Sequence, residues 1–161
     1  MNNPLLQSVQ VALQAGNQKQ FLQMVEDIVD FCIEHENGKV LEGWERETIR
    51  LLVAYHMAKE TLLVSYDQDQ KIDGVFMWYN CNSDDDWFMV YDWDADKPEG
   101  DAIFMAFVYA ANNEAFKKLT ANFMVKCPEA QTKKLLGIRY RQGSPKRVEY
   151  TPKLFQKILA A

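Results

Sequence analysis

The chain is poor in cysteine and histidine and has no long apolar run, and each shortage removes a class of protein. Its three cysteines, Cys32, Cys81 and Cys127, are odd in number and far apart. No two stand at metal-ligand spacing, so the expectation is three reduced, partly buried thiols in a cytosolic protein, without a zinc site. Only two histidines occur, His35 and His56. No HExxH helix, P-loop or Ser/His/Asp order is present. His56, alone beside Tyr55 on a helical stretch, reads as a structural histidine. No apolar run reaches the roughly 18–20 residues that a spanning helix needs, so no membrane partner is expected. The opening MNNPLLQSVQ lacks a basic lead and a small-residue cleavage site, so a secretory signal is not expected and the cytoplasm is the expected compartment. There is no internal repeat and no low-complexity tract.

What the chain does contain is enough apolar surface for a full core. At 161 residues, 48% apolar and 12% aromatic, it reads as one domain over 1–161 and excludes disorder as the main state. Its charge is unevenly spread. Between Asp84 and Asp101, eight carboxylates face the single Lys97. From Lys117 onward, eleven cations face only Glu129 and Glu149. A basic C-terminal third suits an anionic ligand, either a phosphate-bearing cofactor or a nucleic acid, and equally suits a solvated surface with its acidic counterpart nearby. Asp92, Asp94 and Asp96 have the start of a calcium loop. Lys97 and Ile103 stand where an EF-hand needs glycine and glutamate, so a solvated loop is expected and no metal.

The periodicity divides the chain into a helical part, 1–59, and a sheet part, 60–161. Apolar residues at helical spacing predict helices over 4–15, Gln20–His35 and Trp44–Lys59. In the second, Phe21, Met24, Val25, Ile28, Val29, Cys32 and Ile33 are expected inward. The period then switches to two. Thr61–Tyr66 and Ile72–Tyr79 read as a hairpin, with Gly74 marking a bulge or a close approach. A third strand is expected over Trp87–Trp93. Ile103–Ala110, apolar on both faces, reads as a central strand. Asn112 and Asn113 offer cap chemistry to a helix carrying Phe116, Leu119, Phe123 and Met124, which Pro128 closes. Leu135–Arg139 is the next strand, and a strand–helix–strand crossover of this length favours parallel pairing. A turn over Gly143–Pro145, a short strand at Val148–Tyr150 and a helix from Pro152 to Leu159, with Leu154, Phe155 and Ile158 inward, complete the chain. Trp78, Tyr79, Trp87, Tyr91 and Trp93 crowd the sheet. Some are expected in the core and some along a cleft, with Asn80 and Asn82 as polar contacts at its rim.

Two stretches carry a family resemblance. LLVSYDQDQKIDGVFMWY, through Leu62, Leu63, Val64, Asp67, Ile72 and Gly74, resembles the second and third strands of the GNAT superfamily of N-acetyltransferases. The unit from Ile103 to Arg139 is similar to that family's fourth strand, pyrophosphate loop, third helix and fifth strand. The resemblance implies an α+β fold with a mixed, mostly antiparallel central sheet flanked by helices. It also implies an acetyl-CoA or other acyl-CoA donor, an amine acceptor, and a donor site at Tyr109, Ala110, Asn112, Asn113, Lys117 and Lys118. A tyrosine near the last strands commonly serves the family as general acid, a place that Tyr150 or Tyr140 would take. The sequence departs from the pattern in two places. Ala110–Phe116 contains no glycine or arginine and sets Glu114 where a phosphate would lie, and Ile103–Ala111 contains no carboxylate.

Three functions follow as expectations. The first is a GNAT-like acyltransferase that moves an acyl group from a CoA or carrier thioester to an amine, with Lys117, Lys118, Arg139 and Arg141 holding phosphates in place of the glycine loop. The second is a non-catalytic module of the same fold that recognises a protein or virion partner. The third is nucleic-acid binding through the basic third, with Tyr140 and Phe155 available for stacking.

Overall fold

The computed structural model describes residues 18–35, 41–85, 96–141 and 144–160. The helix expected over 4–15 and the strand expected over 87–93 lie outside them.

Helix α1, Gln18–Glu34, buries Val25, Ile28, Val29 and Cys32, the i, i+3, i+4, i+7 stripe of an amphipathic helix. Phe31 joins them, whereas Met24 and Ile33, expected inward, are 40% and 44% exposed. They flank the stripe, and its centre is set by Ile28 and Cys32. Helix α2, Arg46–Ala58, buries Ile49, Leu52 and Val53, and also Ala54, Tyr55 and His56. At the surface Arg46 bridges Glu26 at 2.5 Å and Asp30 at 2.7 Å, and Arg50 also pairs with Glu26. Exposed pairs of this kind each contribute at most about 1 kcal/mol.

Strands β1 (Leu62–Tyr66) and β2 (Ile72–Cys81) form the expected hairpin. Its turn is an Asx turn in which the Asp67 carboxylate accepts from the Asp69 and Lys71 N–H groups, at 2.8 and 3.0 Å. Ser65 pairs with Gly74 and Tyr66 with Ile72, leaving Asp73 as the bulged residue. Gly74 also marks a close approach, since a Cβ there would lie 2.5 Å from the Leu119 Cδ1 and 2.7 Å from the Ser65 hydroxyl.

Three further strands, β3 (Ala102–Ala110), β4 (Lys134–Arg141) and β5 (Ser144–Tyr150), complete a sheet of order β1-β2-β3-β4-β5. All neighbours are antiparallel except β3 and β4, which are parallel. That parallel step is made by helix α3, Asn113–Lys126, followed by a 3₁₀ turn at Pro128–Gln131. Ser144 and Pro145, expected in a turn, belong to β5. The strand is at the sheet edge, where a missing N–H is tolerated, and Pro145 with Lys146 blunts that edge against further pairing. Helix α4, Pro152–Ala160, buries Phe155, while Leu154, expected inward, is exposed.

The result is a mixed α+β fold with a mostly antiparallel five-stranded open sheet and four helices among the described residues. On one face α1 and α2 cover Val75, Met77 and Phe107, with Leu62 and Val64 beside them. On the other, Leu119, Phe123 and Phe155 of α3 and α4 cover Phe76, Trp78, Ile103, Met105 and Leu135. Phe123 stacks on Phe76 at 4.4 Å and meets Trp78 edge-on at 5.1 Å. The three thiols are free and buried. Burial pushes Cys32 up to about 12, Cys81 to about 11 and Cys127 to about 12. Among the described residues no helix is long and apolar enough to cross a membrane.

Candidate functional site

The site grows from a break in the sheet. β3 and β4 pair only at Ala102↔Lys134, Ile103↔Leu135 and Phe104↔Leu136. β3 then continues to Ala110 against β2, and β4 continues to Arg141 against β5. The two parallel strands therefore part toward their C-terminal ends. A cause lies on the other side of β3, where Met77 pairs with Phe107 and Trp78 with Met105, leaving Ala106 unmatched. Such a bulge bends its strand and increases its twist, and Ala106 comes two residues after the last β4 pair.

Gly137 is the first β4 residue past the parting. A Cβ there would meet the Tyr150 ring at 3.1 Å and the Met105 methyl at 3.8 Å. Tyr150 is half-buried, edge-on to Phe155 at 6.0 Å. Its hydroxyl accepts from Arg139 Nε at 3.0 Å, and the guanidinium lies 5.4 Å from the ring centroid. Tyr140 pairs with Pro145, whereas Tyr150 pairs with Leu135. At about 3.4 Å per residue, their backbones lie roughly 17 Å apart, so the two candidate acids do not form one site.

The β3–α3 junction behaves as a helix cap. The Asn112 side chain accepts from the Ala115 N–H at 2.9 Å, its carbonyl accepts from Phe116 N–H, and the Ala111 N–H donates to the Asp73 carbonyl at 2.8 Å. These backbone donors are already used, and Glu114 adds a carboxylate in the first turn. As a diphosphate cradle the loop fits poorly. Tyr109 packs with Phe107 on the α1–α2 side of the sheet, and Ala110 on the α3 side. Lys117 is half-buried on α3. Lys118, expected to hold a phosphate, is committed elsewhere. Its ammonium donates to the Tyr66 carbonyl at 2.8 Å and contacts the Asp73 carboxylate at 3.4 Å. Asp73 is buried and also accepts from the Ser65 hydroxyl at 2.5 Å.

Beside Ala111 and Asn112 lies a groove of about 860 Å³ between α1 and the β1–β2 turn. Small-molecule sites commonly span roughly 300–1,000 Å³. Asp27, Asp30, Glu34, Asp67 and Asp73 line it against Lys71, so its field attracts cations.

Three carboxylates of the acidic segment are paired within the fold. Lys97 donates to both oxygens of Asp85 at 2.8 Å, and this bond with that from Asn82 N–H holds the Asp85 carboxyl below the usual range. Asp101 is lowered by the Ser83 hydroxyl and N–H. Asp96 accepts from the Asn80 N–H at 3.0 Å. No group of potential metal ligands occurs among the described residues. Asn80, expected at a cleft rim, also accepts from Lys133 at 3.0 Å. Trp78 and Tyr79 are core, and Trp87, Tyr91 and Trp93 lie outside the described residues. His56 is buried with Nδ1 2.8 Å from the Thr61 hydroxyl, and burial drives its pKa down to about 4.

Of the residues expected to act together, the structure brings Tyr150 and Arg139 into contact and draws Lys118 away. Gly137, Met105 and the Ala106 bulge were not singled out by the sequence, and only the glycine inside a strand gives a local signal. Comparison with protein-family models and with curated proteins finds no match.

Proposed function

We propose that this chain transfers an acyl group from a thioester, carried on CoA or on a carrier, to an amine. The observation that carries the reading is the parting of parallel β3 and β4 after three pairs, beside a tyrosine. Where two parallel strands part, backbone groups freed from the ladder need other partners and can face a ligand. The thioester supplies an activated acyl group. Beyond Phe104, backbone of β3 that faces β4 has no ladder partner there and offers N–H donors to a carbonyl that gains charge. Tyr150 accepts from Arg139 through a lone pair, so that bond does not use the hydroxyl hydrogen, which is left to point at a leaving thiolate. The acidic groove beside Ala111 and Asn112 draws a protonated amine toward the same end of β3. In the balanced step the ammonium first loses a proton to solvent and the free amine attacks. The acyl–nitrogen bond forms, the acyl–sulfur bond breaks, and the nitrogen gives a second proton to water. The thiolate takes one from Tyr150, which water restores.

A second reading, a non-catalytic module for a protein partner, is favoured by the capped, glycine-free β3–α3 junction. Titration with acetyl-CoA followed by thermal unfolding separates the two. A ligand at a hundredfold over its Kd stabilises by about 2.7 kcal/mol, or roughly 5–10 °C for a chain of this size. A shift of that order with acetyl-CoA supports the donor site. No shift at millimolar ligand removes it and leaves the module.

A further inference from the structure

The acidic groove between α1 and the β1–β2 turn is longer than a small amine needs. Gln20, Gln23, Asp27, Asp30 and Glu34 line it at steps of three and four residues, one stripe of α1. With His35 at its end, that stripe runs about 22 Å, at ~1.5 Å per residue. An extended chain rises about 3.3 Å per residue, so the groove seats roughly seven residues. Arg46 takes Asp30, whereas Asp27 and Glu34 have no cation partner among the described residues. Met24 and Tyr66 line the same groove and are 40% and 39% exposed. Apolar surface beside unpaired carboxylates suits the alkyl stem and terminal charge of a lysine. Gly137, Arg139 and Tyr150 are not among the walls.

An acidic surface alone selects nothing, but this groove also has a buried carboxylate in its wall. The Asp73 side chain is only 9% exposed and still lines the groove. It is the bulged residue of the hairpin, and bulges re-aim side chains. Its Oδ1 accepts from the Ser65 hydroxyl at 2.5 Å. Its Oδ2 has the Lys118 ammonium at 3.4 Å, longer than the roughly 2.7–2.9 Å of a charge-assisted bond. That ammonium sits closer to the Tyr66 carbonyl, at 2.8 Å, and the Lys118 side chain is half-exposed. The buried carboxylate is therefore held loosely, by a lysine of the chain itself. One remaining oxygen fits the point charge of an ammonium and not the two-pronged guanidinium of arginine.

We infer that the groove docks an extended, lysine-rich segment of a partner protein, and that one of its ammonium groups reaches Asp73 in the place Lys118 holds in the free chain. Other lysines of the segment lie along Asp27 and Glu34, their stems on Met24 and Tyr66. Lys118 is then an internal competitor for the partner. The inference goes beyond acyl transfer and does not rest on it, since docking requires neither a thioester nor Tyr150.

The test uses an end-blocked heptapeptide of alternating lysine and alanine, the same peptide with arginine for lysine, and spermine, a tetraamine of equal charge without a peptide backbone. Each is titrated by calorimetry into the full chain, the D27N/E34Q double variant, D73N and K118M. The lysine peptide is expected to bind tightest, and less tightly as salt is added. D73N weakens it about tenfold, as loss of a charge-assisted bond implies. D27N/E34Q weakens it about fivefold, the worth of two exposed ion pairs. K118M, in contrast, strengthens it at least roughly threefold, because the competing ammonium is gone. Asp27 and Glu34 are exposed, so their variant folds as the parent does; if D73N does not fold, that variant and K118M decide. No binding of the lysine peptide would overturn the docking site, and binding unchanged in D27N/E34Q would overturn its place in the groove. Weaker or equal binding to K118M would overturn the competitor role and with it the Asp73 contact. An arginine peptide that binds as tightly would overturn the choice of lysine, and spermine binding tighter than the peptide would overturn the protein partner. Acetyl-CoA binding is measured separately, and its failure removes acyl transfer without touching this result.

Discussion

Strand β3 has two neighbours and treats them differently. Against β2 it is paired from Ala102 to Ala110, and against β4 for three residues only. The paired flank is covered by aromatics, with Phe76 stacked on Phe123 and Trp78 edge-on to it. The parted flank has a glycine, a half-buried tyrosine and exposed cations. In the proposed reading, stability and ligand recognition are separated across one strand.

The strongest way to break the comparison is to empty the paired flank. Phe123→Ala removes a fully buried ring and is expected to cost about 4 kcal/mol, read in a denaturant melt. If it cost under 1 kcal/mol, the paired flank would not be where stability lies. Acid acts on the same side. His56, on α2 against Thr61 at the entry to β1, has a folded pKa of about 4 against 6.5. The native state keeps the ring neutral while the unfolded chain takes up a proton. The contribution is therefore whole above pH 6.5 and is lost as pH falls from 6.5 toward 4, a decline of roughly 3 kcal/mol. The slope over that window is expected to flatten in His56→Gln, leaving the part near pH 4 that the lowered carboxyls of Asp85 and Asp101 supply.

Smaller effects sharpen the contrast. Lys118→Met leaves the buried Asp73 with the Ser65 hydroxyl but without its cation, and is expected to cost about 1 kcal/mol, since the ammonium itself is half-exposed. An unchanged melt would show that Lys118 is free for a ligand after all. Tyr150→Phe, on the parted flank, should change stability by less than about 1 kcal/mol, the net value of one hydrogen bond. Turnover of a thioester donor is expected to fall about a hundredfold, as loss of a general acid implies. A variant with full turnover would take the proton role from Tyr150.

The sequence made the local devices legible. The Asp67 turn, the glycine beside the Asp73 bulge, the Asn112 cap, the stop at Pro128 and the parallel crossover all depend on neighbours a few residues away, and each is found. What it hid depends on distance along the chain. Lys118 reaches the Tyr66 carbonyl across 52 residues, and its commitment there removes it from the donor site that the family resemblance implied for it and Lys117. Pro145 reads as a turn residue unless its strand is known to be an edge. The parting of β3 and β4 follows from a bulge at Ala106, an alanine among apolar neighbours with no glycine or proline to announce it. The Tyr150–Arg139 contact is made by hairpin register, so the candidate site appears only once β5 is extended to Ser144.

The buried thiols have a practical consequence. The thiolate is the form that attacks an alkylating reagent, and a group whose pKa is about 11 is ionised about once per thousand molecules at pH 8. Cys32 is in α1 on one face, Cys81 ends β2 and Cys127 follows α3 on the other face. Their labelling rates, followed cysteine by cysteine in tryptic peptides, would time the opening of each layer from within. The molecule carries three internal clocks, none of which needs to be engineered.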